Sequence, residues 1–228
     1  MSPPAASAAA DAPVLKHAGV FEALRWRLIT GKIMPGALLS TRGVAQELGV
    51  SQTPVREALA RLAAEGAIAI RSKRRIAIPP MNAERFADLL HCRLMLEPRA
   101  AALALPRIDS RLLKRLRTID EAIGAAMQEG DPIAYMEGNF AFHFGIYRAN
   151  DRPTLNRLIE TLWLQFGPFM RLVYGRFGTA NLVDQHERAI AAIEARDAAA
   201  LESAIGADIA DGMGLIARGA LTQDRPSV

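Results

Sequence analysis

Apolar residues recur at intervals of three and four from about Leu15, through Val20, Phe21, Leu24, Leu28 and Ile29, which predicts a helix ending at Thr30-Gly31. Met34-Pro35-Gly36 is a turn signal, and Leu38-Leu39-Ser40 reads as a short strand or an extended lead-in. Ser40 or Thr41 then caps a helix to Leu48 whose apolar face is Val44, Ala45 and Leu48. Gly49 supplies the left-handed backbone that a sharp turn between helices needs. Ser51 suits an N-cap, and Pro54 falls in the first turn of the next helix, where a missing N–H costs nothing. That helix runs to about Glu65, with Val55, Ala58, Leu59 and Leu62 inward and Gln52, Thr53 and Arg56 outward; Gly66 ends it. Two β-prone runs follow, Ala67-Ile68-Ala69-Ile70 and Ile76-Ala77-Ile78, joined by Arg71-Ser72-Lys73-Arg74-Arg75 and stopped by Pro79-Pro80.

Beyond Pro80 the period is helical throughout. Phe86, Leu89, Leu90, Leu94 and Leu96, with the alanines at 100–104, predict a helix from about Ala83 to Leu105, interrupted near Pro106. A second spans about Ser110 to Glu129, and Gly130-Asp131-Pro132 starts a third, to about Ala149. A fourth follows Pro153 and carries Leu158, Leu162, Phe166 and Phe169 to about Tyr174. A fifth runs from about Leu182 to Ala195, and Arg196-Asp197 turns into a sixth ending near Leu221. Six helices with short links indicate an all-α bundle. The expected fold is therefore mainly α, a winged helix-turn-helix domain over residues 14–80 plus a six-helix bundle over 81–222. An Ala/Pro/Ser-rich leader occupies 1–13 and a short tail 223–228.

Composition narrows the class. Half of the 228 residues are hydrophobic, ample for a core. No apolar run approaches the ~18–20 residues of a membrane span, and no basic segment precedes an apolar core at the start, so no membrane partner or signal peptide is expected. The single cysteine, Cys92, excludes an internal disulfide framework and fits a reducing, cytoplasmic setting. Residues 14–80 hold 11 Lys and Arg against 4 Asp and Glu, a balance of +7 within a net +4 for the whole chain. That asymmetry suits a DNA-reading module joined to a near-neutral sensing domain.

Two constellations carry chemistry. Gln52, Thr53 and Arg56 are hydrogen-bonding side chains where a recognition helix meets bases and phosphates. The cations at the hairpin tip, Lys73 and Arg74 among them, suit flanking phosphates or the minor groove. In the bundle, Asn139 and His143 lie at i, i+4 on one helix face. His186 precedes Asp197 by 11 residues and Asp208 follows it by 11. In an antiparallel hairpin both side chains then stand roughly 16 Å from the turn, at 1.5 Å per residue. Asn139, His143, His186 and Asp208 converge in that case on one N/O-ligated divalent cation such as Zn²⁺, Ni²⁺ or Mn²⁺; the alternative is a buried His hydrogen-bonded to an Asp. Arg93 either grips a carboxylate or bridges to Glu97 at i+4. Trp163, Phe166, Phe169 and Tyr174 either wall a pocket or form plain core.

Gly31, Met34-Pro35-Gly36, Leu39, Arg42, the unbroken run at 48–59, Leu62 and Glu65-Gly66 closely resemble the winged-helix domain of the GntR family of bacterial transcription regulators, over nearly all of residues 15–80. The resemblance implies phosphate contacts from Arg42 and Arg56, and base or backbone contacts from Ser51, Gln52 and Thr53. Gln52 stands where the family most often has Arg, and Lys73 and Arg75 occupy wing positions where glycine is frequent. Gln favours adenine where Arg favours guanine, so the expected operator differs. Residues about 85–215 resemble the all-α effector-binding (FCD) domain of the FadR-type subgroup. The matches are the run Arg93-Leu94-Met95-Leu96-Glu97, Phe142-His143, the run at 186–190 and Arg196-Asp197. Many relatives bind a metal with one Asp and three His; Asn139 replaces the usual Asp here, and Asp208 the last His. The resemblance implies a small organic acid as effector, held at the metal beside His143 and His186, and guanidinium chemistry makes Arg93 the second pocket candidate. It also implies a homodimer on a pseudo-palindromic double-stranded operator, repression being the default. The rivals are a metal-free regulator sensing an acyl or apolar effector and, from another class, a metal-dependent hydrolase; no general base or nucleophile at a supporting spacing favours the latter, and no enzyme is expected.

Overall fold

A computed structural model of the chain describes residues 17–72, 75–177 and 184–220. Its first helix, α1 (His17–Ile29), buries Val20, Leu24 and Leu28 completely, four residues apart on one stripe. That stripe packs on α3 (Gln52–Ala64), whose Val55, Leu59 and Leu62 are likewise buried. Between them α2 (Thr41–Leu48) starts at Ser40, whose hydroxyl accepts the Gly43 N–H at 3.0 Å. It stops at Gly49, where φ is 65° and a side chain would be strained. The predicted helix, turn, helix is present, with Pro54 in the first turn of α3.

The wing differs in detail from the pattern. Strands β1 (Ala69–Ser72) and β2 (Arg75–Ala77) pair antiparallel as Ala69↔Ala77 and Ile70↔Ile76, with an irregularity before Ser72↔Arg75. The strand starts later than expected because the Ala67 N–H is spent on the Leu62 carbonyl of α3 at 3.0 Å, with Ala67 and Ile68 buried beneath the helix end. Leu39 resolves its own ambiguity: its N–H and C=O exchange hydrogen bonds with Ile76 at 3.1 and 3.3 Å, a single bridge on the wing's edge. The leader, the tail, Lys73, Arg74 and the side chains of Arg71, Arg75 and Tyr174 lie outside the described residues.

The bundle comprises α4 (Ala83–Ala104), a 3-10 turn (Leu105–Arg107), α5 (Ser110–Glu129), α6 (Pro132–Tyr147), α7 (Pro153–Phe177), α8 (Gln185–Glu194) and α9 (Ala198–Ala220). Asn82, Asp109, Asp131 and Asp184 each cap a helix by accepting first-turn N–H groups. The α8–α9 hairpin turns through Arg196, whose φ of 56° costs about 1–2 kcal/mol for a side-chain-bearing residue. Its guanidinium donates to the Leu105 carbonyl at 2.8 Å, and Asp197 then caps α9 at the N–H groups of Ala199 and Ala200. Among the described residues no helix is long and apolar enough to cross a membrane.

The two domains meet along α1 and α7. A Cβ on Gly167 would lie 2.6 Å from the Ile29 carbonyl oxygen and 2.8 Å from Ile29 Cα, so this glycine permits helix-to-backbone contact. Gln165 donates to the Glu65 carbonyl at 3.2 Å, and Arg85 donates both to Gln165 Oε1 and to the Gly66 carbonyl at 3.2 Å. Trp26 stands edge-on to Phe140 with centroids 5.4 Å apart, and ion pairs Arg25–Glu160 and Lys32–Glu137 flank them.

Candidate metal centre and nucleic-acid interface

At the amino end of α3, Ser51, Gln52, Thr53 and Arg56 are all exposed, as is Arg42 on α2. The inward face is committed to α1, so these side chains have only the outer surface available. Ser51 occupies the cap position with an extended backbone, yet its hydroxyl makes no capping bond. The first-turn N–H groups and the positive end of the helix dipole are therefore not closed off by that hydroxyl, an arrangement suited to phosphate. Neither Arg42 nor Arg56 forms an ion pair among the described residues, whereas Arg27 is held by Glu47, which lowers the Glu47 carboxyl through that hydrogen bond.

In the bundle, His143 on α6, His186 on α8 and Asp208 on α9 come together, their candidate ligand atoms within 4.8 Å of one another. The equal spacing of His186 and Asp208 about the hairpin turn brings them side by side, His186 Nε2 lying 3.8 Å from Asp208 Oδ1. His143 Nε2 lies 3.1 Å from Asp208 Oδ2, but without hydrogen-bond alignment. Both Nε2 atoms are buried, and neither makes an aligned hydrogen bond. Asn139 is buried one turn before His143 on the same helix.

The opposite ring nitrogens explain why the Nε2 atoms are left bare. Asp120 on α5, half-buried, lies 3.0 Å from His186 Nδ1 and as a carboxylate accepts a hydrogen bond from its N–H. Tyr147 donates its hydroxyl to Glu97 Oε2 at 3.0 Å. Its one proton so used, it accepts from His143 Nδ1–H, also at 3.0 Å. In the neutral imidazoles both Nε2 lone pairs are then left beside the Asp208 carboxylate, which is unfavourable unless a positive charge, proton or metal, sits among them. This is the outer-shell pattern that orients metal-ligating histidines.

The electrostatics agree. Burial pulls His186 toward neutrality, but Asp120's hydrogen bond and the charges of Asp208, Asp120 and Asp184 carry it above its ordinary value. Burial pushes Asp208 up, but His143, His186 and Arg93 outweigh it and hold the carboxyl below the usual range. The site favours a cation, whether proton or metal.

Of the two partners expected for Arg93, the structure shows Glu97 at i+4. The Arg93 guanidinium is 3% exposed and already forks onto Glu97, Nε to Oε1 at 2.5 Å and Nη2 to Oε2 at 3.2 Å. The i+4 partner on its own helix is always present, so no separate carboxylate needs to be captured for the charge to be satisfied. Trp163, Phe166 and Phe169 are core, at 0%, 1% and 4% exposure, and the guanidinium carbon lies 4.2 Å above the Phe166 centroid.

A model of bacterial regulatory proteins, gntR family, matches residues 16–78, and a model of the FCD domain matches residues 88–211. The HTH-type transcriptional regulator McbR of Escherichia coli (strain K12) is 31% identical over 177 residues, covering 76% of this chain and 80% of that protein. The gluconate operon transcriptional repressor of Bacillus subtilis (strain 168) is 30% identical over 187 residues, covering 77% and 74%. The solved structure of E. coli McbR/YncC superposes with a TM-score of 0.83 at 28% identity, over 89% of this chain and 97% of that one. With its amino-terminal winged helix and carboxy-terminal FCD bundle, this chain belongs to the gntR family of bacterial transcription regulators.

Proposed function

We propose that this regulator is a homodimeric repressor whose bundle binds a divalent cation through Asn139, His143, His186 and Asp208, and through that cation a small organic acid that alters operator affinity. The observation that carries the reading is the pair of buried Nε2 atoms, 3.1 and 3.8 Å from Asp208 and without an aligned hydrogen bond, while both Nδ1 sides are occupied. Two imidazoles with carboxylate and amide oxygens suit Zn²⁺, Ni²⁺ or Mn²⁺. When bound, the cation supplies a coordination position for a carboxylate oxygen of the effector; His143 and His186 hold it, and Arg93 contributes charge from behind Glu97.

Metal content and melting temperature test this directly. At a hundredfold excess of metal over its dissociation constant, the native state gains about 2.7 kcal/mol, or a rise of about 5–10 °C for a chain of this size. Chelation removes that rise in the wild type. His143→Ala should show no response to either zinc or chelator. Equal responses in both proteins would rule out the site, and a protonated His–Asp cluster in a metal-free pocket would take its place.

On the DNA side, twofold symmetry presents two recognition helices to a pseudo-palindromic duplex. Arg42, Ser51, Thr53 and Arg56 position the helix, Gln52 reads a base, and the wing cations Lys73 and Arg74 reach flanking phosphates. Arg56→Ala should weaken operator binding across sequences and reduce the slope of log affinity against log salt by about one. An unchanged slope in a binding titration would refute the placement of α3 on DNA.

A further inference from the structure

Glu97 is fully buried and accepts from three other side chains drawn from three helices. Arg93 on α4 donates twice, Tyr147 on α6 donates its hydroxyl to Oε2 at 3.0 Å, and Trp163 on α7 donates Nε1–H to the same oxygen at 3.0 Å. We propose that Glu97 couples the metal centre to the DNA-binding domain: through Tyr147 it fixes which nitrogen of His143 faces the centre, and through Trp163 it holds the helix on which that domain is docked.

The inference rests on the metal reading above. Tyr147 is 0% exposed and has one proton. As long as Glu97 takes it, the phenol oxygen can only accept, and His143 must present Nδ1–H to it and Nε2 to the centre. A cation that draws His143 toward Asp208 therefore acts on a fully buried hydrogen bond, and the strain falls on the Glu97 carboxylate. The other arm of that carboxylate is the Trp163 indole, and Arg93 itself lies over the neighbouring Phe166. One turn beyond Trp163 is Gly167, in backbone contact with the end of α1. Glu97 and Tyr147 are thus positioning residues for the centre, and α7 is the element both domains share. A parallel route by direct packing exists, since the His143 and Trp163 rings are 5.5 Å apart, so the test must separate the hydrogen-bonded route from it.

The chain has two tryptophans, Trp26 and Trp163, and Trp26→Phe identifies the indole N–H resonance of Trp163 in a ¹H–¹⁵N spectrum. Adding Zn²⁺ alone to the full-length protein should shift that resonance. Tyr147→Phe removes one oxygen and keeps the packing. It should lower Zn²⁺ affinity about 10–100-fold, and at saturating Zn²⁺ the Trp163 resonance should stay where it is in the metal-free variant. Zn²⁺ affinity and a Trp163 shift equal to wild type in Tyr147→Phe would overturn the coupling and leave the metal centre standing. Absence of Zn²⁺ uptake by the wild type, or uptake undiminished by His143→Ala, would overturn the centre and the coupling together. Glu97→Gln is the direct variant; where it fails to fold, Tyr147→Phe carries the decision.

Discussion

Glu97→Ala should destabilise the protein by about 3–5 kcal/mol, the cost of leaving a buried charge without its partner. The loss does not stop at Coulomb attraction. Arg93 is 3% exposed and has no route to water, while the Tyr147 hydroxyl and Trp163 indole lose their acceptor in a core with no replacement. An alanine also leaves a cavity among Arg93, Tyr147 and Trp163. Urea denaturation followed by circular dichroism reads the effect as a fall in midpoint. The pair Arg93→Met with Glu97→Leu should recover most of the charge penalty, because an apolar pair of similar volume needs no compensation. A cost under about 1 kcal/mol for Glu97→Ala would show that this ion pair is not a structural keystone.

Gly167→Ala has a sign that separates two causes. In an ordinary helix interior, alanine is better than glycine by about 0.8–1.0 kcal/mol. Here the new methyl meets the Ile29 carbonyl oxygen at 2.6 Å and the Leu28 carbonyl oxygen at 2.8 Å, and helix backbone cannot rotate aside. Overpacking of that kind costs about 1–3 kcal/mol, borne by withdrawal of α1 from α7 or by bending at Pro168, where the helix already lacks an N–H. The expected result is a less stable protein with a looser domain interface, read as a lower melting temperature and faster proteolysis between residues 79 and 82. An increase in stability would mean that the interface is not held at this contact.

Much of the DNA-binding domain was legible in the chain because its turns are chemically explicit. Gly49 requires φ > 0, Ser40 caps, and Pro54 fits only a first turn. Helix ends in the bundle are equally marked at Gly130-Asp131-Pro132, whereas the cap at Asp109 is seen only in the structure. The convergence of His186 and Asp208 followed from counting outward from Asp197. Asp120 was not legible: it lies 66 positions before His186 and meets it only because α5 packs on α8. Arg93 was left open between two partners, and burial decided for Glu97. Glu97 itself looked like half of an ordinary i+4 pair, its other donors lying 50 and 66 residues away. The wing's offset strand start and the role of Gly167 were hidden for a related reason, since each depends on what the opposite surface already fills.

Two of the contacts joining the domains, Arg25–Glu160 and Lys32–Glu137, are partly exposed ion pairs. Electrolyte at physiological strength shortens the reach of such charges to about 8 Å. A salt titration of this protein on its operator thus weakens the contact between the winged helix and the bundle while it strips counterions from DNA. The absolute slope counts more than phosphates, and only the difference between wild type and a variant such as Arg56→Ala, in which that contact is common to both, isolates a single phosphate.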